Sequence, residues 1–301
     1  MRVALYGLGS MGLGMARSLL RAGHAVHGHD LRADAVAGLA AEGGIDAAAG
    51  EGAEGWDAVV LVVVNAAQSE ALLFGSGDGA PGLADRLAPG ALVMGCATVP
   101  PEAAERIGAR LEAAGLLYLD APISGGAAKA EAGAMTMMVS GAPAAMARGR
   151  PLLDAMAATV FEMGDRPGPA SAMKMVNQHL AGIHIAAAAE AMVMGARGGI
   201  APARTLEVIA RCAGTSWMFE DRGAHIAAGD YAPRSTVEIF VKDLGIVDDM
   251  ARARRCPAPL AAAALQQFLA AAGMGLGGED DAAVAKVYAA LAGVALPEAE
   301  G

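Results

Sequence analysis

Val3-Ala4-Leu5-Tyr6-Gly7-Leu8-Gly9-Ser10-Met11-Gly12 opens the chain with a short apolar run followed by a GxGxxG spacing. Residues 3–6 read as a strand, and an apolar helix through Leu13, Ala16 and Leu20 starts directly behind the glycines. Gly7 permits the tight strand-to-helix turn, Gly9 lets backbone come close to a pyrophosphate, and Gly12 lets helix pack on strand. The free N–H groups and positive dipole end of that helix then face the phosphates of a dinucleotide. A second strand over 25–29 ends at Asp30, eighteen residues after Gly12, where a carboxylate accepts hydrogen bonds from ribose hydroxyls. With 41 glycines in the chain the spacing alone is weak, and the flanking strand, helix and acid are what decide the reading. Gly7, Leu8, Gly9, Ser10, Met11, Gly12 and Asp30 are therefore candidate cofactor residues.

Asp30 also bears on cofactor choice. A carboxylate at this position repels a ribose 2′-phosphate, so NAD is expected rather than NADP. Arg32, two residues on, is a candidate partner for such a phosphate and keeps NADP as the lesser alternative.

Beyond the first motif, short β-type runs at 25–29, 58–63, 92–94, 117–119, 135–139 and 160–163 alternate with helix-length segments such as 101–114 and 143–157. Such alternation predicts a mostly parallel, doubly wound α/β sheet with helices on both faces. It stops at Gly164-Asp165-Arg166-Pro167-Gly168-Pro169, a dense turn cluster. After it no strand pattern is visible. One long helix over 170–198 is expected, then helices near 202–212, 216–227, 237–255, 259–272 and 280–292. The expected organisation is a dinucleotide-binding domain over 1–164 and an all-α domain over 165–301.

Composition narrows the function. The 301 residues are 55% hydrophobic and 18% charged, which suits two domains with large cores. A formal charge of −10 argues against a nucleic-acid partner, because phosphate binding needs clustered Lys and Arg. The basic cluster Arg252, Arg254 and Arg255 reads as a solvated helix end. Cys96, Cys212 and Cys256 are too widely spaced for a metal site or a disulfide framework, and a cytoplasmic enzyme is expected. No secretory leader pattern precedes the first strand. The apolar segment around 180–196 carries His184 and Glu190 and reads as a buried helix short of a membrane span.

Two further motifs carry chemistry. Asp120-Ala121-Pro122-Ile123-Ser124-Gly125-Gly126 follows a strand, and Ser124, Gly125 and Gly126 offer a hydroxyl and backbone N–H groups suited to a carboxylate. Taken alone, an ordinary turn accounts for it equally well. Lys174 precedes Asn177 by three residues and Gln178 by four, which sets all three on one helix face. A lysine beside two amides on an apolar helix suggests a polar pocket, although a single lysine there would suit a snorkelling surface residue.

The order GxGxxG, DAPxSGG, a Gly-rich turn leading to KxxN, and Lys242-Asp243-Leu244 resembles the β-hydroxyacid dehydrogenases, the family of 3-hydroxyisobutyrate dehydrogenase and tartronate semialdehyde reductase. The resemblance covers essentially the whole chain. It implies a Rossmann domain, an all-α domain of the 6-phosphogluconate dehydrogenase type built around a long helix, and a homodimer or homotetramer. It matches Lys174 to the family's catalytic lysine and Ser124, Gly125 and Gly126 to its substrate-carboxylate loop, with Asn177 and Gln178 in the substrate site. It further matches Thr98 to a cofactor-contacting threonine, Lys242 to a lysine near the nicotinamide, and Val64 and Asn65 to the cofactor-touching loop after the 58–63 strand.

The departures are informative. Gln178 stands where the family commonly has Asn, Val63-Val64-Asn65-Ala66 replaces a Met-Leu-Pro pattern, and Ala97 replaces a serine. With the stretches 124–130 and 180–191, the first two of these departures resemble the branch that oxidises L-threonate at C2 to a 2-oxo-tetronate. The alternatives inside the family are 3-hydroxyisobutyrate and tartronate semialdehyde; imine reduction is disfavoured by the retained Lys174. A non-catalytic dinucleotide-binding sensor would not need Lys174, Gln178 and Ser124 together. No metal is expected, since Glu279-Asp280-Asp281 suits the dipole at the start of the last helix, and His179 and His184 suit packing.

Overall fold

The computed structural model describes residues 1–46, 55–75 and 81–299. The chain divides into two compact units, Met1–Lys174 and Met175–Gly301, with the division inside a long helix.

In the first unit β1 (Arg2–Tyr6), α1 (Gly12–Arg21), β2 (Ala25–His29), α2 (Ala33–Ala41), β3 (Ile45–Asp46), β4 (Ala58–Leu61) and α3 (Ala66–Phe74) build one half of a sheet. There follow β5 (Leu92–Gly95), α4 (Pro101–Ala113), β6 (Leu117–Asp120), β7 (Ile123–Ser124), α5 (Gly126–Glu131), β8 (Met135–Ser140), α6 (Pro143–Met156) and β9 (Ala157–Gly164). The order is β3-β2-β1-β4-β5-β6-β8-β7, with β9 pairing β8. Strands β3 through β6 run parallel, with Val3 level with Val26 on one side and Ala58 on the other. β8 is antiparallel to β6 and β7.

Strand period decides the layers. Val3, Leu5, Val60, Leu92 and Met94 point to one core with Met15 and Leu19 of α1 and Leu152 of α6. Their neighbours Ala4, Val59, Leu61 and Val93 point to the other, with Leu73 of α3 and Ile107 and Leu111 of α4. Alternating side chains therefore bury both faces, as a doubly wound sheet requires. Each fully buried Leu, Val or Met contributes about 1.5–3 kcal/mol relative to exposure.

Beneath the end of β2, Tyr6 and His29 stack with ring centroids 4.1 Å apart, and Trp56 meets His29 edge-on at 5.7 Å. Burial pushes the His29 pKa down to about 4, against the upward pull of Asp46. The folded unit thus holds His29 neutral while the unfolded chain takes up a proton near 6.5. That stability is present above pH 6.5 and is lost as pH falls through about 4. His29→Phe, which keeps the stack, is expected to flatten the loss of Tm between these pH values. Parallel melting curves with the same slope as wild type would refute this role.

The second unit is built around α7 (Pro169–Arg197), with α8 (Pro202–Ile209), α9 (Trp217–Ala228), α10 (Val237–Ala253), α11 (Pro259–Ala271) and α12 (Val284–Ala292). Ile185, Ala189 and Met192 of α7 join Phe219, Phe240, Leu244, Phe268 and Val284 in one core. Phe240 and Phe268 stack at 5.3 Å, and Gly182 lies so close to Leu244 that a Cβ would sit 2.8 Å from its methyls.

Several expectations are corrected here. The 120–126 motif is not a plain turn, since it includes β7 and leads into α5. The last helix opens with a 3-10 turn at Asp281–Ala283. Asp280 does open this last segment, its Oδ1 accepting from Ala282 N at 3.2 Å, but it and Asp281 also take buried partners. Both are fully buried, Asp280 against His225 Nδ1 at 2.9 Å and Asp281 against Arg222 Nε at 2.5 Å. By length and composition alone, Pro169–Arg197 and Pro259–Leu276 are long and apolar enough to cross a membrane, but Ile185, Ala189 and Met192 of the former are buried in the core of the second unit, as expected of a buried helix.

Candidate active site

The sheet order reverses between β1 and β4, since β2 lies on one side of β1 and β4 on the other. Ligands of open α/β sheets bind outside the strand ends at such a point. The Gly7–Gly12 loop lies there. Gly7 has φ 97°, and a Cβ on it would lie 2.9 Å from the Val62 carbonyl carbon. Its N–H donates to His29 O at 2.8 Å, tying the loop to the end of β2. Gly9 and Ser10 are exposed, Met11 is half-buried, and α1 begins at Gly12. The Leu8 side chain is buried at 1% exposure and is not offered to a ligand.

Asp30 is held by that same backbone. Its Oδ2 accepts from Leu8 N at 2.6 Å, and its Oδ1 accepts from Arg32 N at 2.9 Å and Arg32 Nε at 3.3 Å. Burial pulls its pKa upward, but the N–H groups of Arg32 and Leu8 and the Arg32 charge outweigh it, and the carboxyl sits below its usual range. Asp30 is therefore an anion, and a carboxylate has about four acceptor sites, so one direction remains for a ribose hydroxyl. The Arg32 guanidinium is tied back, with Nη2 donating to Leu8 O at 2.9 Å. These residues fit a nicotinamide dinucleotide lacking a 2′-phosphate.

Asn65 caps α3, its side-chain oxygen accepting from Gln68 N at 2.9 Å, while Gln68 Oε1 accepts from Val64 N at 2.8 Å. Val64 itself is 46% exposed. Thr98 is half-buried in the loop after β5. The parallel register places these two loops beyond adjacent strand ends.

Ser124 ends β7, and Gly125, at φ 138°, turns the chain into α5. Lys174 is buried, and its Nζ donates to Ile123 O at 2.8 Å. The structure thus brings Lys174 to the residue immediately before the Ser124-Gly125-Gly126 loop, across 51 residues of sequence.

In the second unit, Gln178 Nε2 donates to Asp243 Oδ2 at 2.5 Å, and Asn177 Nδ2 donates to Gln178 Oε1 at 2.8 Å. Lys242 Nζ pairs with Asp243 Oδ1 at 2.5 Å. A carboxylate only accepts, so Asp243 fixes the Gln178 nitrogen toward itself and the oxygen toward Asn177.

Sequence reasoning assigned no role to Asp120 or Asp243, each 1% exposed. Both stood inside the quoted motifs. Asp243 also falls with Phe240, Leu244 and Val247 on the apolar face of α10, a position where a carboxylate needs a buried partner. Among the described residues, no three His, Cys, Asp or Glu side chains converge as metal ligands.

Comparison with known proteins agrees with this architecture. Residues 2–164 match the NAD binding domain of 6-phosphogluconate dehydrogenase, and residues 168–288 match the NAD-binding model of NADP-dependent 3-hydroxyisobutyrate dehydrogenase. The first unit is accordingly a NAD-binding domain. The chain is 50% identical to an L-threonate dehydrogenase of Cupriavidus necator, over 98% of this chain and 97% of that one. It is 46% identical to the L-threonate dehydrogenase of Escherichia coli K12, over 99% and 97%. A solved structure of 3-hydroxyisobutyrate dehydrogenase from Salmonella typhimurium superposes with a TM-score of 0.90 at 50% identity, covering 95% of this chain and 99% of that one. With both units matched along their length, this chain belongs to the β-hydroxyacid dehydrogenase family.

Proposed function

We propose that the chain oxidises a small hydroxy acid, L-threonate foremost, to its 2-oxo acid with NAD, using Lys174 as general acid/base. The observation that carries this is the Lys174 Nζ held 2.8 Å from Ile123 O, one residue before the Ser124 loop. An acid/base and an anion-binding loop then serve one small ligand.

In this scheme residues 1–164 form the dinucleotide-binding domain and 165–301 the substrate and dimerisation domain. The Ser124 hydroxyl and the N–H groups of Gly125 and Gly126 bind the substrate carboxylate. Asn177 and Gln178, their polarity set by Asp243, orient a hydroxyl beyond the reacting carbon. Lys174, with Nζ neutral, takes the proton of the reacting hydroxyl, and in reverse returns it to the carbonyl oxygen. Bound NAD supplies the hydride acceptor. The Gly7–Gly12 loop with Asp30, Val64, Asn65 and Thr98 holds the cofactor, the family resemblance assigns Lys242 to the nicotinamide end, and the tied-back Arg32 favours NAD over NADP.

The relatives at 50% and 46% identity that are named for L-threonate favour a four-carbon sugar acid. A 3-hydroxyisobutyrate activity is the second reading, favoured by the name of the Salmonella structure at 50% identity. Met173, Val176 and Leu180 of α7, between 41% and 49% exposed, form an apolar stripe that supports a homodimer or homotetramer. All three cysteines are free thiols, which supports a reducing cytoplasm.

NADH formation from L-threonate, D-threonate, D-glycerate and 3-hydroxyisobutyrate, with NAD and NADP in parallel, tests the reading. Highest kcat/KM on L-threonate with NAD is expected. Preference for 3-hydroxyisobutyrate would keep Lys174 and overturn the substrate, and preference for NADP would overturn the reading of Asp30 and Arg32.

A further inference from the structure

Asp120 is a buried carboxylate that the proposed chemistry does not use, and it meets the start of the helix that carries Lys174. Its Oδ2 accepts from Gly168 N at 3.0 Å, Ser171 N at 2.9 Å and Ser140 Oγ at 3.3 Å, and its Oδ1 accepts from Ser171 Oγ at 2.7 Å. Ser140 Oγ in turn accepts from Ala170 N at 3.0 Å. Pro169 has no N–H, so Asp120 and Ser140 between them satisfy every donor from residue 168 to 171. The Ala172 N–H then donates to Gly168 O at 2.9 Å. The backbone donors at the helix start are thus all engaged.

The spacing makes this arrangement matter for Lys174. Asp120 meets Ser171, and three residues on along each segment Ile123 meets Lys174, both pairs being 51 residues apart. One helical turn, 171–174, is therefore held at both ends by one short segment, 120–123, which runs from the end of β6 to the start of β7. A lysine has four rotatable side-chain bonds and no geometry of its own. Its head group is placed here because the turn that bears it is placed.

We propose that Asp120 is the positioning residue for Lys174, fixing the turn that lays Nζ on the Ile123 carbonyl beside Ser124. The inference rests on the acid/base reading of Lys174. It differs from a plain helix cap in what is lost: the chemical step, rather than the folded protein or its cofactor site.

Asp120→Asn is nearly isosteric but removes the charge that faces the helix start and sets an NH2 donor where Oδ1 accepts the Ser171 hydroxyl, so that contact is lost and the N–H groups of Gly168 and Ser171 meet a weaker, neutral acceptor. Ser171→Ala is the milder variant, removing the Oγ contact alone. NADH-binding sites are counted by fluorescence titration, and turnover on the best acid of the panel is expressed per site. Misplacement of a reacting group by about 1 Å costs on the order of 10²-fold, so turnover per site should fall by about that factor in D120N and less in S171A. NADH affinity and KM should stay within about twofold, and the primary isotope effect from substrate deuterated at the reacting carbon should rise as chemistry becomes limiting. Fewer NADH sites with unchanged turnover per site would show a purely structural cap and overturn the proposal. If D120N does not fold, S171A decides by the same split. Lys174→Ala runs alongside: an active K174A overturns the acid/base reading itself, whereas a dead K174A with a normal D120N overturns only the role of Asp120.

Discussion

Lys174→Ala is expected to cut turnover by about 10²–10⁴-fold, the usual worth of a positioned acid/base, while leaving NADH binding within about twofold. The residue is 7% exposed and donates to Ile123 O, so truncation removes the one atom offered to the substrate hydroxyl and leaves the dinucleotide loop untouched. The Gly7–Gly12 loop, Asp30 and Asn65 are anchored by contacts that do not include Lys174. Lys174→Arg is expected to be almost as poor, because a guanidinium stays protonated above pH 12 and cannot accept a proton. Steady-state turnover beside an NADH fluorescence titration separates the two losses. Near-normal turnover in K174A would move the acid/base elsewhere.

Gly12→Ala is expected to abolish useful cofactor binding. An added Cβ would overlap the Gly7 carbonyl oxygen and lie 2.9 Å from its carbon, and both are backbone atoms of the loop itself. The loop must shift, and overpacking of this kind costs about 1–3 kcal/mol. Converted at 1.4 kcal/mol per decade, NADH affinity should weaken by about 10- to 10²-fold, with a lower Tm. Gly9→Ala makes the contrast, since a Cβ there meets nothing within 4 Å. Its Tm should match wild type while NADH affinity falls, because in the proposed cofactor site the pyrophosphate would be its close neighbour. Wild-type NADH affinity in both variants would remove the Gly7–Gly12 loop from the cofactor site.

The parts of this enzyme most open to reading are those where local chemistry and tertiary need coincide. Residues 3–30 declare a strand, a Gly turn, a helix and a terminal acid, because each element's periodicity and breakers are contained within it. Lys174, Ser124 and Gln178 were legible through motif order. The roles of Asp120 and Asp243 were not, although both residues lay in view. A carboxylate declares its charge in the sequence, but its partners lie 51 residues away at Ser171 and 65 residues away at Gln178. Asp280 and Asp281 were read only in part for the same reason: as acids at a helix start they suit the dipole, and only the placement of His225 and Arg222 makes them buried partners.

By itself, then, the amino-acid order determined the alternation of strand and helix and the Gly7–Gly12 turn with Asp30 behind it. These follow from patterns within about thirty residues, where backbone period and glycine geometry leave few choices. Tertiary structure alone decided which carboxylates are buried, which way the Gln178 amide points, that Arg32 turns back onto Leu8, and that Lys174 Nζ lies on the Ile123 carbonyl. Each of these depends on desolvation and on donor meeting acceptor at about 3 Å, and such distances exist only once remote segments have packed.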